Sequence, residues 1–120
     1  MKAALAALAD RVEAAGAADR ALDAEIAMAV FPPLRALRAV SPGVWIDAEG
    51  GRVRALRYSE SRTAATTLVP VGHWLAGPVN DGDPVTIHSP DEDAPAATAG
   101  GASAALAITA AALRARAFQA

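Results

Sequence analysis

The spacing of apolar residues changes twice along the chain, from helical to alternating and back. Leu5, Leu8, Val12 and Ala15 recur at three- and four-residue intervals and stop at Gly16, a residue suited to a helix C-cap. A helix over 3–15 is predicted. Asp19 then stands where an N-cap is wanted, and Leu22, Ile26, Ala29 and Val30 share one face of a second helix over 19–30, with Asp23 and Glu25 on the other. Pro32-Pro33 ends it at or before Phe31.

The middle of the chain reads as strands: 44–47, then 52–58 beyond Gly50-Gly51, then 72–76 and 84–88 around the turn residues Asn80-Asp81-Gly82-Asp83. In the second of these, alternation sets Arg54, Leu56 and Tyr58 against Val53, Ala55 and Arg57. Ser61 caps a short helix over 62–68, stopped by Val69-Pro70. The stretch 89–101, rich in proline, alanine, glycine and acid, reads as an exposed flexible loop. Helical spacing returns with Leu106, Ala110, Leu113 and Ala117 in a helix over 102–118, where Arg114 and Arg116 suit the C-terminal dipole.

These elements predict one α+β domain over 1–120, a small, mainly antiparallel sheet sandwiched by N-terminal and C-terminal helices in α/β/α layers. Its expected core holds Leu5, Leu8, Val12, Leu22, Ile26, Leu56, Leu68, Trp74, Ile87, Leu106 and Leu113.

Composition sharpens this picture. Hydrophobic residues reach 53%, but alanine supplies about a quarter of the chain and aromatics only 4%, so the core must be thin and closely spaced. A formal charge of −2 gives no general attraction for nucleic acid, which is therefore not an expected partner. Without cysteine there are no disulfides, thiolate metal sites or cysteine nucleophiles. The bacterial cytoplasm is the expected location, and Lys2 as the only lysine among eleven basic residues suggests a GC-rich genome or its phages. Asp10, Arg11 and Glu13 interrupt the opening apolar stretch before it can act as a signal peptide. The run 102–113 is too short to cross a bilayer, so no membrane association is expected.

Candidate chemistry is sparse. His73 and His88 have no zinc-motif spacing, but neighbouring strands could bring them together with Asp81, Asp83 or Asp91 as a two-histidine, one-carboxylate set for a divalent metal. A metal-dependent hydrolase or small-ligand binder built on these residues is the alternative functional reading. Asp81-Gly82-Asp83 and Asp91-Glu92-Asp93 are only fragments of a calcium loop. Ser59, Ser61 and Thr63 read as caps, since no nucleophile elbow surrounds them. Neither glycine pair, Gly50-Gly51 or Gly100-Gly101, has the context of a phosphate cradle. Arg52, Arg54, Arg57 and Arg62 form a local basic group beside Tyr58, expected to pair with Glu49 or Glu60. No catalytic, cofactor-binding or metal-ligating residue is assigned, and no cofactor is expected.

Four ordered landmarks resemble the phage ABA sandwich domain family: the helix Ala18 to Ala27, the segment Tyr58 to Pro70 with Tyr-Ser-x-Ser, Ala-Ala and Leu-Val-Pro, the following Trp74, and the helix Leu106 to Arg116. The chain departs from it at Thr63, where the family usually has aspartate, and at Ala104, where it has proline. The resemblance implies an α/β/α sandwich in a phage or prophage protein and carries over no activity. The expected function is accordingly that of a non-enzymatic accessory protein acting by protein contact or self-association, as a homodimer or on a host-takeover or anti-defence target.

Overall fold

The computed structural model describes residues 2–119. Helix α1 (Lys2–Ala14) is built from strong helix formers and buries Leu5, Leu8, Ala9 and Val12. Helix α2 (Arg20–Val30) is capped by Asp19, whose carboxylate accepts from the backbone N–H groups of Ala21 at 2.8 Å and Leu22 at 3.4 Å. The chain then tightens into a 3-10 turn over Pro32–Ala36, since neither proline can donate to a continuing helix.

Two antiparallel sheets follow, where the sequence suggested one. The first orders β1 (Arg38–Ser41), β2 (Val44–Ile46) and β3 (Arg52–Arg54) side by side. Strand β1 was not predicted, because all four of its residues are exposed and no apolar alternation marks it. Its return turn passes through Gly43, whose positive φ of 76° favours glycine. Between β2 and β3, the Asp47 carboxylate accepts from the N–H groups of Glu49 and Gly51, at 3.0 and 2.7 Å, and fixes the turn.

Helix α3 (Arg62–Thr66) starts at Ser61, whose hydroxyl accepts from Ala64 N–H at 3.1 Å. The second sheet runs β4 (Trp74–Ala76), β5 (Val85–His88), β6 (Ala97–Ala99), with Trp74 opposite His88, Leu75 opposite Ile87 and Ile87 opposite Ala97. Strand β6 lies inside the stretch expected to be a flexible loop. Ala97 and Ala99 are buried there, and the small alanine side chain, which in sequence reads as loop composition, lets the strand approach a helix closely.

Helix α4 (Ala104–Gln119) is the centre of the molecule. Its residues from Ala104 to Leu113 are all buried, with α1, α3, β5 and β6 packed around it. The expected single apolar stripe is thus an apolar circumference. Methyl-sized side chains admit neighbours on several sides, and the buried Thr109 hydroxyl donates to the Tyr58 carbonyl at 3.1 Å. Arg114 ties α4 to α1 through Asp10 and Glu13, both at 2.8 Å.

Several side-chain expectations are corrected. Leu56 is 48% exposed, because β3 ends at Arg54 and the alternation assumed over 52–58 does not continue. Trp74, also expected in the core, is 54% exposed. Asp23 was expected in solvent on the polar face of α2. It is buried, paired with Arg20 at 3.1 Å, and accepts from Ser59 N–H at 2.8 Å. The remaining predicted core residues are buried.

Candidate functional site

The second sheet has two unlike faces, and the alternation of its strands decides which residues lie on each. Leu75, Val85, Ile87, Ala97 and Ala99 form the inner face, the last four buried where β5 and β6 meet α4. Trp74, Ala76, Thr86, His88 and Thr98 form the outer face. There Trp74 and His88, directly opposite in the β4–β5 register, stack with ring centroids 5.3 Å apart and planes 22° from parallel. The stack holds the indole in one orientation while leaving about half of it in water. Strand β4 is one of the two edges of the sheet, so the tryptophan stands beside a backbone that pairs with no further strand among the described residues.

This register separates the two histidines. His88 lies on the outer face with Trp74, whereas His73 lines a cavity of about 440 Å³ on the other side, together with Ile87, Ser89, Asp91 and Phe118. His73 Nδ1 lies 3.3 Å from the Val71 carbonyl. The candidate carboxylates have local tasks. Asp81 accepts from Ala104 N–H at 2.7 Å and so caps α4, where Ser103 also accepts from Leu106 N–H at 3.2 Å. Asp83 accepts from Asn80 N–H at 2.9 Å, and Asp91 from Asp93 N–H at 3.0 Å, each closing its own turn. Among the described residues, no three histidine or acidic side chains are grouped so as to hold a metal ion.

Of the hydroxyls expected to cap, Ser61 does so, whereas Ser59 bridges to Asp19 40 residues away. Ser59 is buried, accepting from Asp19 N–H at 2.9 Å and donating to the Asp19 carbonyl at 3.2 Å. Within the basic group, Arg57 pairs with Glu60 at 3.6 Å, while Arg52, Arg54 and Arg62 are exposed. The electrostatic anchor at this end of the molecule is Arg20, which sequence reasoning passed over. Its guanidinium donates to the carbonyls of Gly43, Ala55 and Leu56 at 3.3, 3.0 and 3.2 Å.

Trp74 is the residue whose role sequence reasoning misread. A signal was present in the alternation of 74–76 and 84–88. Placing Leu75, Val85 and Ile87 inward requires Trp74, Thr86 and His88 to point outward. No helix among the described residues is long and apolar enough to cross a membrane. Compared with family models, curated proteins and solved structures, the chain matches none.

Proposed function

We propose that this chain is a non-enzymatic accessory protein, of the phage-associated kind its sequence resemblance implies, that works by protein contact through the outer face of the second sheet. What supports this reading is the placement of its largest apolar side chains. Of the five aromatic residues other than histidine, Trp74 is 54% exposed on that face, while Phe31 and Phe118 are exposed at two other places on the surface. The core meanwhile is filled with alanine. A chain short of large apolar residues loses burial by leaving them in water, and that loss is recovered when a partner covers them. Trp74 has the further properties of a contact anchor, being an aromatic held in one orientation by His88 at a sheet edge.

The test is photocrosslinking in the native host, with a benzophenone amino acid placed at position 74 or, as control, at the exposed position of Ala14 on α1. A discrete polypeptide adduct from position 74 alone, either a homodimer or a complex with one host or phage protein, is the expected result. Equal labelling from both positions, or no adduct from either, contradicts it.

A further inference from the structure

A second feature lies away from the Trp74 face, in a groove of about 660 Å³ between α2, the 3-10 turn, the end of β3 and the C-terminal part of α4. Its walls are aliphatic and aromatic, with Val30, Phe31, Leu34 and Leu56 among them. Phe31 and Leu56 are half exposed at this site, so the groove opens to solvent. Its volume falls in the range of small-molecule sites, which are mostly apolar with a few convergent polar groups.

Two polar groups converge here. Arg116 and Tyr58 both line the groove. Three arginines of the described chain are partly buried, namely Arg20, Arg114 and Arg116. The first two are paired with carboxylates. Arg116 has no carboxylate within ion-pair distance among the described residues, and its one protein hydrogen bond there runs from Nε to the Leu68 carbonyl at 2.8 Å. The terminal nitrogens, the two that form a carboxylate-binding fork, have no partner among the described residues.

Tyr58 is only 2% exposed, and its hydroxyl has no partner among the described residues. Tyr58 is among the residues that line the groove. Burial pushes the phenol up from its ordinary range and the guanidinium down from its own. Both shifts are the mark of polar groups held in an apolar setting.

We infer that the groove binds a small molecule with an apolar body and one carboxylate, the carboxylate seated on the Arg116 fork and the Tyr58 hydroxyl and the body lying along Phe31, Leu34 and Leu56. An anion compensates a desolvated cation, whereas a neutral ligand leaves it unpaired. Exposed Arg54 at the same groove adds a second positive charge. Among the described residues, the groove has no acidic side chain in its lining.

The test uses decanoate and decan-1-ol, matched in chain length, titrated against the full-length protein by two-dimensional amide NMR. Decanoate is expected to shift amides of residues lining the groove and to bind about tenfold or more tightly than the alcohol. Arg116→Gln should remove that preference while leaving alcohol binding unchanged, and Arg116→Lys should retain part of it. Tyr58→Phe should reduce it by a smaller factor, and each variant's amide spectrum reports whether it is folded. Equal affinity for acid and alcohol in the wild type overturns the carboxylate seat, and absence of binding by both overturns the groove as a ligand site. Groove amides that shift on dilution without ligand would assign the groove to a second copy of the chain, and that too overturns the inference. None of these outcomes depends on Trp74, so this inference and the proposed contact face fail independently.

Discussion

The two sheets are the same size and equally antiparallel, yet they are attached to the rest of the molecule by different physics. The second sheet is held by apolar burial, with Val85 and Ile87 fully enclosed and Ala97 and Ala99 nearly so where β5 and β6 meet α4. The first, although Val44 and Trp45 are buried, is tied to α2 by a polar knot. Arg20 reaches three backbone carbonyls around Gly43 and β3's exit, and Asp23 holds Arg20 on one side and the Ser59 N–H on the other. Burial is non-directional and tolerates small shifts, whereas a guanidinium shared among three carbonyls fixes one position. The molecule therefore has a broad hydrophobic attachment at one end and a concentrated, directional one at the other.

The largest predicted effect strikes the burial side. Leu106→Ala and Leu113→Ala should each cost about 2–5 kcal/mol, because both side chains are wholly enclosed on the helix that α1, α3 and the second sheet share. Urea denaturation measures this, and a cost under about 1 kcal/mol for either would mean that α4 is not the centre of the core.

The next effect strikes the knot. Arg20→Ala removes three hydrogen bonds to carbonyls and leaves Asp23 buried without its cation, a loss of about 2–3 kcal/mol. Its signature should be local. Amide exchange should accelerate in β1, β2 and β3 while β5 and β6 remain protected. Uniform acceleration in both sheets would erase the distinction drawn between them.

A smaller effect is expected at acid pH. Glu13 is held below the ordinary glutamate range, first by its hydrogen bond from Arg114 at 2.8 Å and then by the Gly100 N–H at 2.6 Å, against the opposing pull of burial. Because the folded pKa is the lower one, this contribution is full above the ordinary glutamate pKa and is lost as pH falls through the folded value. The Glu13 side chain is 37% exposed, so solvent screening keeps the contribution under about 1 kcal/mol. Glu13→Gln should flatten this part of the stability profile between neutral and acid pH, and an unchanged profile would show that the Arg114 link contributes nothing.

The same contrast explains how much was legible in the sequence. The α1, α2 and α4 helices, the Asp19 and Ser61 caps and the α+β class follow from local spacing, and they are present. Strand β1 left no trace because a strand exposed on every residue has no period to read. Strand β6 was hidden because its buried positions are alanines, which a composition count assigns to a loop. Asp23 and Arg20 look like ordinary helix-surface charges until the chain some 35 residues later brings Ser59, Ala55 and Leu56 against them. The separation of His73 from His88 depends on strand register, which a one-residue shift would reverse.

Trp74 carries the central claim, since a large aromatic of this chain stands at the surface for contact and is not part of the core. Urea denaturation of Trp74→Ala beside Leu113→Ala tests it most directly. With the indole half exposed, Trp74→Ala should cost under about 1 kcal/mol while Leu113→Ala costs about 2–5. A Trp74→Ala cost of about 3–5 kcal/mol, that of an enclosed tryptophan, would return the residue to the core and leave the contact face without its anchor.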